Sequence, residues 1–171
     1  LDWECDINLK RLEFPTHLLP LNQMWTLQLT IGQLAGGSSA QPFETVEDYD
    51  NWLSRVDDYL VWLYTAEDRM KEGIEKDVVL PKSLIKKVVP QLASIALTDV
   101  EDHLFYGPIR QLPASFSNED KTRLTAAYQS MIEDKVKPAY LQLHDFMNGE
   151  YMEAGRLSSG FDAYTFGSDY Y

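Results

Sequence analysis

One feature constrains this chain more than any other: an apolar stripe at three- and four-residue spacing that runs for some 25 positions behind a helix-start signal. Val46, Tyr49, Leu53, Val56, Leu60, Leu63 and Met70 keep that spacing, with Glu67 the one polar interruption. Residues three or four apart share a helix face, so the pattern predicts an amphipathic helix of about seven turns. Thr45 stands where an N-cap belongs, with Asp48 three residues on, a variant of the capping box. Glu47 and Asp48 also place negative charge at the positive helix end. Gly73 is expected to close the helix as a left-handed residue. A helix this long needs partners for its apolar face, and the rest of the sequence offers them as further helices.

Residues 21–34 carry Leu21, Met24, Trp25, Leu27, Ile31 and Leu34 and predict a shorter helix. Gly36, Gly37, Ser38 and Ser39 read as a loop. Pro81 opens another helix, with Leu84, Ile85, Val88, Val89, Leu92 and Ile95 on one face; Pro90 inside it is expected to kink or shorten it. Residues 98–116, with Gly107, Pro108 and Pro113, read as a long ordered loop. Ser117 and Asp120 then cap a helix through Leu124, Tyr128 and Met131. Pro138 interrupts it, and the pattern resumes through Leu143, Phe146 and Met147 to about Glu153, as one kinked helix or two in line. Strand evidence is confined to residues 77–80. The fold class expected is all-α: long, partly Pro-kinked helices packed as an irregular bundle, one lobe of a larger helical protein. Residues 1–20, broken by Pro15 and Pro20, read as an irregular segment, 21–155 as the helical lobe, and 156–171 as a C-terminal loop leading to a second half. Leu1 is not an initiator methionine, and the Gly-, Ser- and aromatic-rich residues 160–171 lack a terminating element, so a longer parent chain is expected.

Charge narrows the partners. Of 171 residues, 15 are Lys or Arg and 27 are Asp or Glu, a net charge of −12. Nucleic-acid affinity rests largely on basic side chains neutralising phosphates, so no nucleic-acid partner is expected. An anionic membrane surface is disfavoured for the same reason. The longest apolar run, residues 59–64, is far short of the ~20 residues that span a bilayer. The single cysteine, Cys5, excludes an internal disulfide and a thiolate-rich metal site.

Motifs for chemistry are sparse. His17, His103 and His144 are scattered without a His-x-x-x-His pair, and His144 and Asp145 are adjacent, so one helix face cannot present both to one metal. They read as surface or hydrogen-bonded histidines, and no metal or cofactor is expected within this span. Ser158-Ser159-Gly160 lacks the strand–turn–helix setting of a nucleophile elbow. Acidic pairs such as Asp57-Asp58 and Glu101-Asp102 arise readily in so acidic a chain, and Glu119-Asp120 suits a helix end. Tyr49, Trp52, Tyr59, Trp62 and Tyr64 crowd the long helix and are expected mainly in the core. The closing Gly167, Ser168, Asp169, Tyr170 and Tyr171 combine loop character with hydrogen-bonding aromatics, as binding loops do.

Three ordered blocks carry a resemblance. The first runs from Leu19-Pro20-Leu21-Asn22-Gln23 through Gln41-Pro42-Phe43-Glu44-Thr45 to Trp52-Leu53-Ser54-Arg55. The second joins Met70-Lys71-Glu72-Gly73-Ile74 to Val79-Leu80-Pro81-Lys82 and Gln91-Leu92. The third holds Val136-Lys137-Pro138-Ala139-Tyr140, Glu150-Tyr151-Met152, Ala154-Gly155-Arg156, and Gly167 ahead of Tyr170-Tyr171. In this order they resemble the N-terminal half of the bacterial domain-of-unknown-function family 885, large helical proteins that are often exported lipoproteins and look like zinc metallopeptidases. The resemblance implies a C-terminal half with a His-Glu-x-x-x-x-His-type helix, and none of the histidines here matches it. It makes this span a non-catalytic lobe that shapes a peptide-binding cleft, with zinc in the full-length protein only. The partners implied are the missing C-terminal half and a peptide substrate; the compartment implied is periplasmic or lipid-anchored. Tyr170, Tyr171 and Arg156 are the candidates for substrate contact, and no catalytic residue or metal ligand carries over. The alternative is a helical protein-interaction module without catalytic activity.

Overall fold

The computed structural model describes residues 2–11, 13–24, 26–37 and 39–169, the side chains of Asp2, Trp3, Ile7, Asn8 and Arg11 excepted. Leu1, Trp25, Ser38, Tyr170 and Tyr171, on which parts of the reading above rest, lie outside the described residues. The architecture is all-α, and no strand occurs among the described residues. Its helices are α1 (Asp2–Arg11), α2 (Leu27–Ala35), α3 (Val46–Glu75), α4 (Lys82–Leu97), α5 (Gly107–Arg110), α6 (Asn118–Ser130), α7 (Lys137–Asn148) and α8 (Glu150–Ala154). The N-terminal stretch expected to be irregular thus contains a ten-residue helix and a 3-10 turn, Pro15–Leu18.

Helix α3 starts as its sequence dictates. Thr45 Oγ1 accepts from Asp48 N–H at 3.2 Å, and the Asp48 carboxylate accepts from Thr45 N–H at 2.8 Å and Glu44 N–H at 3.0 Å. Those hydrogen bonds hold the Asp48 carboxyl below its usual range. The helix spans 30 residues, about eight turns or ~45 Å. Its end corrects the role expected of Gly73. The left-handed residue is Asp77 (φ 56°), with Val78 N–H donating to Gly73 O at 2.8 Å and Asp77 N–H to Ile74 O at 3.3 Å. That is a Schellman ending one turn beyond Gly73. Gly73 is needed for close approach instead, because a Cβ there would sit 2.6 Å from Val78 O.

Helices α3 and α4 both lie against α7, the contact with α4 being the most extensive in the molecule. The core between them takes Trp52, Leu63 and Met70 from α3, Ile85, Val88 and Leu92 from α4, Leu124 and Tyr128 from α6, and Tyr140, Leu143 and Met147 from α7. Neither internal proline breaks its helix. Pro90 is exposed, and α4 continues past it to Leu97, rather than ending early. Pro138 has no N–H to give the preceding turn, and residues Met131–Val136 widen into a π-helical turn ahead of it, where Lys137 N–H reaches Ile132 O. A wider turn relieves the ring-to-carbonyl crowding that proline imposes on a regular helix. α6 and α7 therefore form one rod, and Gly149 (φ −99°, ψ −105°) separates it from α8. Residues 98–116, expected to be a loop, contain the 3-10 turns Val100–Asp102 and Leu104–Tyr106 as well as α5. α2 begins at Leu27, later than position 21.

Candidate functional site

Residues 78–80, within the segment that joins α3 to α4, lie outside any helix and are buried. Such a segment has backbone groups that no helix satisfies, so other parts of the chain must supply partners. The Tyr151 hydroxyl accepts from Leu80 N–H at 3.0 Å, and the Tyr164 hydroxyl donates to Val79 O at 2.8 Å. Arg156 N–H donates to Leu80 O at 3.2 Å, while Lys82 N–H donates to Arg156 O at 2.9 Å, making a single parallel bridge.

The Arg156 side chain completes this corner. Its Nε donates to Val79 O (3.2 Å), and its Nη1 donates to Ser158 O (2.9 Å), Ser158 Oγ (3.2 Å) and Gly160 O (2.6 Å). Its guanidinium carbon lies 4.3 Å from the Tyr164 ring centroid, within cation–π range. Tyr164 stacks on Phe166 at 5.1 Å and 6°, and joins Leu18 and Val78 in a small apolar cluster with Leu19 and Phe161 around it. Burial raises the Tyr164 phenol above its ordinary range, and the nearby Arg156 guanidinium opposes that rise. Gly167 is required here: a Cβ would meet Phe161 O at 2.1 Å. Of the three residues the sequence singled out, then, Arg156 fixes the C-terminal loop to the α3–α4 connection, while Tyr170 and Tyr171 follow that loop outside the described residues.

Glu67 and His103, both buried, were not among the candidate site residues. Glu67, 5% exposed, receives Lys71 Nζ at 2.7 Å and Gln142 Nε2 at 2.9 Å. The Lys71 ammonium also lies 5.5 Å from the Phe146 ring centroid, and its pKa is raised, first by the hydrogen bond to Glu67. A lone acid in an apolar stripe is the signal that marks this site, although its partner on α7 is invisible at the level of spacing. His103, 1% exposed, is held by two backbone groups, with Nδ1 accepting from Phe105 N–H at 3.2 Å and Nε2 paired with Ile95 O at 3.0 Å. His17 is exposed, and His144 Nδ1 lies 2.9 Å from Asp145 Oδ1.

The tyrosines behave alike. Tyr49 donates to Pro108 O (3.1 Å), Tyr128 to Tyr49 O (3.2 Å), and the Tyr59 and Tyr140 hydroxyls meet at 2.7 Å. Burial pushes Tyr49 and Tyr140 each up to about 12, and Tyr59 and Tyr128 also upward. These phenols stay protonated and serve as fixed donors or acceptors. Trp52 and Tyr59 are in the core, Trp62 stacks on Tyr59 at 5.9 Å, and Tyr64 stands on the open face.

The surface among the described residues also carries several depressions. One, of about 640 Å³, is lined by Met24, Gln28, Leu29, Gly32, Ile95 and Leu104 among others. Another, of about 470 Å³, is acidic, with Asp99, Glu101, Asp102 and Glu133 on its walls. Among the described residues, no group of three or more His, Cys, Asp or Glu side chains is placed to hold a metal ion. Nor is any helix among them long and apolar enough to cross a membrane.

The sequence matches the family model described as "Bacterial protein of unknown function (DUF885)" over residues 2–171. The chain belongs to this family. No curated protein matches it at a significant level. The fold is shared with the crystal structure of a protein described as a "putative lipoprotein" from Colwellia psychrerythraea, with a TM-score of 0.79 and 19% identity. That alignment covers 87% of this chain and 26% of the other, so this family member spans about a quarter of the length of its structural neighbour. At that identity the likeness concerns the fold alone.

Proposed function

We propose that this chain is the non-catalytic N-terminal lobe of a larger, zinc-dependent metallopeptidase-like hydrolase, and that it walls one side of a cleft for an extended peptide. The observation that carries the reading is the unequal coverage of the structural match: nearly all of this fold corresponds to a quarter of a longer protein. The chemistry of the described residues agrees with a supporting role. Glu67, His103 and Arg156 each have their hydrogen-bonding capacity engaged by groups of the lobe itself. In this reading the C-terminal half supplies the zinc ligands and general base. A zinc ion bound there would supply Lewis-acid chemistry for peptide hydrolysis. Arg156 holds the loop that delivers Tyr170 and Tyr171 to the peptide, and the parent protein is exported or lipid-anchored.

The test compares the 171-residue chain with the protein encoded by the full reading frame. Metal content is measured by inductively coupled plasma mass spectrometry, and hydrolysis on a fluorogenic peptide library. Stoichiometric zinc and peptidase activity in the long form alone support the division of labour. Peptidase activity from the short chain overturns it. A long form that lacks zinc and activity favours the interaction module instead, for which the exposed Met24, Leu27 and Leu104 beside the 640 Å³ depression supply an apolar face.

A further inference from the structure

Helix α2 is attached to the body in an unusual way. Its most extensive contact is with the 3-10 turn Leu104–Tyr106 rather than with another helix. Gly32 and Gly36 leave a notch on α2 that receives the Leu104 side chain. A Cβ at Gly32 would stand 3.3 Å from Leu104 Cδ2, and one at Gly36 would stand 3.6 Å from Cδ1. Just beyond, the backbone of Gly107 approaches Gly36 so closely that a Cβ on Gly107 would meet Gly36 O at 2.5 Å. Beneath α2, Ile31 and Ala35 enter the core that holds Trp52 and Phe105.

The turn that docks α2 is itself held by one side chain. Phe105 N–H can only donate and Ile95 O can only accept, so His103 carries its proton on Nε2 and leaves Nδ1 bare. The neutral ring caps the turn through Nδ1 and ties it to the last residues of α4 through Nε2–H. A second proton would go on Nδ1, where it would face another donor. The ring would then be charged while buried, and Phe105 N–H would lose its acceptor. Either consequence destabilises the closed arrangement.

We propose that His103 is an acid-sensitive latch, whose protonation releases the Leu104–Tyr106 turn and with it helix α2 from the bundle. The adjoining 3-10 turn Val100–Asp102 carries Glu101 and Asp102, and further charges reach the ring from α5, the π-helical turn and α7. Arg110 on α5, whose Nη2 lies 3.4 Å from His103 O, and Lys137 on α7 oppose protonation, whereas Glu133 in the π-helical turn favours it. Desolvation is the largest influence and lowers the pKa from 6.5. The native state therefore binds fewer protons than the open one, so closure is favoured at neutral pH and weakens as pH falls below 6.5. This inference goes beyond the lobe reading and holds whether or not the parent protein is a peptidase.

Hydrogen–deuterium exchange from about pH 7.5 down to about pH 5.0, corrected for intrinsic exchange chemistry, tests it on the whole chain. The expected result is exchange in Leu27–Ala35 at least ~10-fold faster at the acid end, with α7 still protected. The variant His103→Asn keeps an acceptor for Phe105 N–H, does not titrate, and leaves every carboxylate in place. Its α2 exchange is expected to be flat across the same range. An unchanged acid response in His103→Asn overturns the proposal, since the carboxylates would then be responsible. Should that variant misfold, the ring resonances of His103 in the natural chain decide. A titration midpoint that coincides with α2 opening supports the latch, and protonation without opening, or opening without protonation, sinks it.

Discussion

Two regions of this molecule bury tyrosine hydroxyls, and they do so by different means. Between α3 and α7, helices satisfy their own backbone, so the phenols of Tyr59 and Tyr140 have only each other, 2.7 Å apart within a wide apolar core. At the corner formed by residues 78–80, 156 and 164, the backbone lies outside the helices, and the phenols of Tyr151 and Tyr164 bond to it directly. The first region draws its strength from buried area and uses its polar pair as an accessory. The second shares Val79, Leu80 and Tyr151 with that core but adds hydrogen bonds to backbone that no helix satisfies. Damage to the buried area should therefore spread globally, and damage to those added hydrogen bonds should stay local.

The largest effect expected is from Trp52→Ala, which empties a fully buried position in the main core. Urea unfolding should show a loss of about 3–5 kcal/mol, the range for large aromatic truncations. A loss under ~1 kcal/mol would mean that the helical core is less cooperative than the contrast requires. Next comes Tyr59→Phe, which leaves the Tyr140 hydroxyl buried without its partner; about 1–3 kcal/mol is expected. The double variant with Tyr140→Phe should recover part of that loss, because two apolar rings leave nothing unsatisfied. Simple additivity in the double-mutant cycle would show that the pair is not coupled.

Arg156→Ala should reverse the pattern. Its cost by urea is expected to stay below ~2 kcal/mol, since the side chain is half-buried and its partners lie mainly in one loop. Chymotrypsin cleavage within residues 157–166 should nonetheless accelerate strongly, as the loop loses its ties to Val79 and Tyr164. Global destabilisation without faster loop cleavage would erase the distinction between the regions. Smallest is Thr45→Ala, about 1 kcal/mol, read in the same urea experiment. Because the Asp48 carboxyl is held below 3.8, its capping contribution is present above that pH and lost as pH falls through the lowered value. The stability difference between the natural chain and Asp48→Ala should accordingly shrink under acid, whereas Thr45→Ala keeps the two backbone N–H groups from which that carboxylate accepts.

The main helices could be read from sequence because each is dictated within a few residues. Thr45 and Asp48, or Ser117 and Asp120, make their cap within one turn, and both caps occur where expected. Errors fell where the chain meets distant parts of itself. Gly73 suits a helix end by local rules, but the close approach of Val78 O and of Leu18, far back in the sequence, decides its use. Pro138 left one kinked helix or two in line open, and the folded chain takes the first form, with the turn widened over Met131–Val136. Glu67 interrupts an apolar stripe with no visible reason until Gln142, 75 residues away, reaches it.

The sequence by itself determined the all-α class, the positions of α3, α4 and the α6–α7 rod, and membership of a bacterial family, because periodicity, caps and ordered motifs are local properties of the chain. Only the tertiary structure decided that His103 caps the Leu104–Tyr106 turn while bonded to α4, that Arg156 ties a loop to residues 78–80, and that the Tyr151 and Tyr164 hydroxyls meet Leu80 N–H and Val79 O. Those roles belong to pairs of groups brought together by folding, and a hydrogen bond across 71 or 85 residues leaves no spacing to be read.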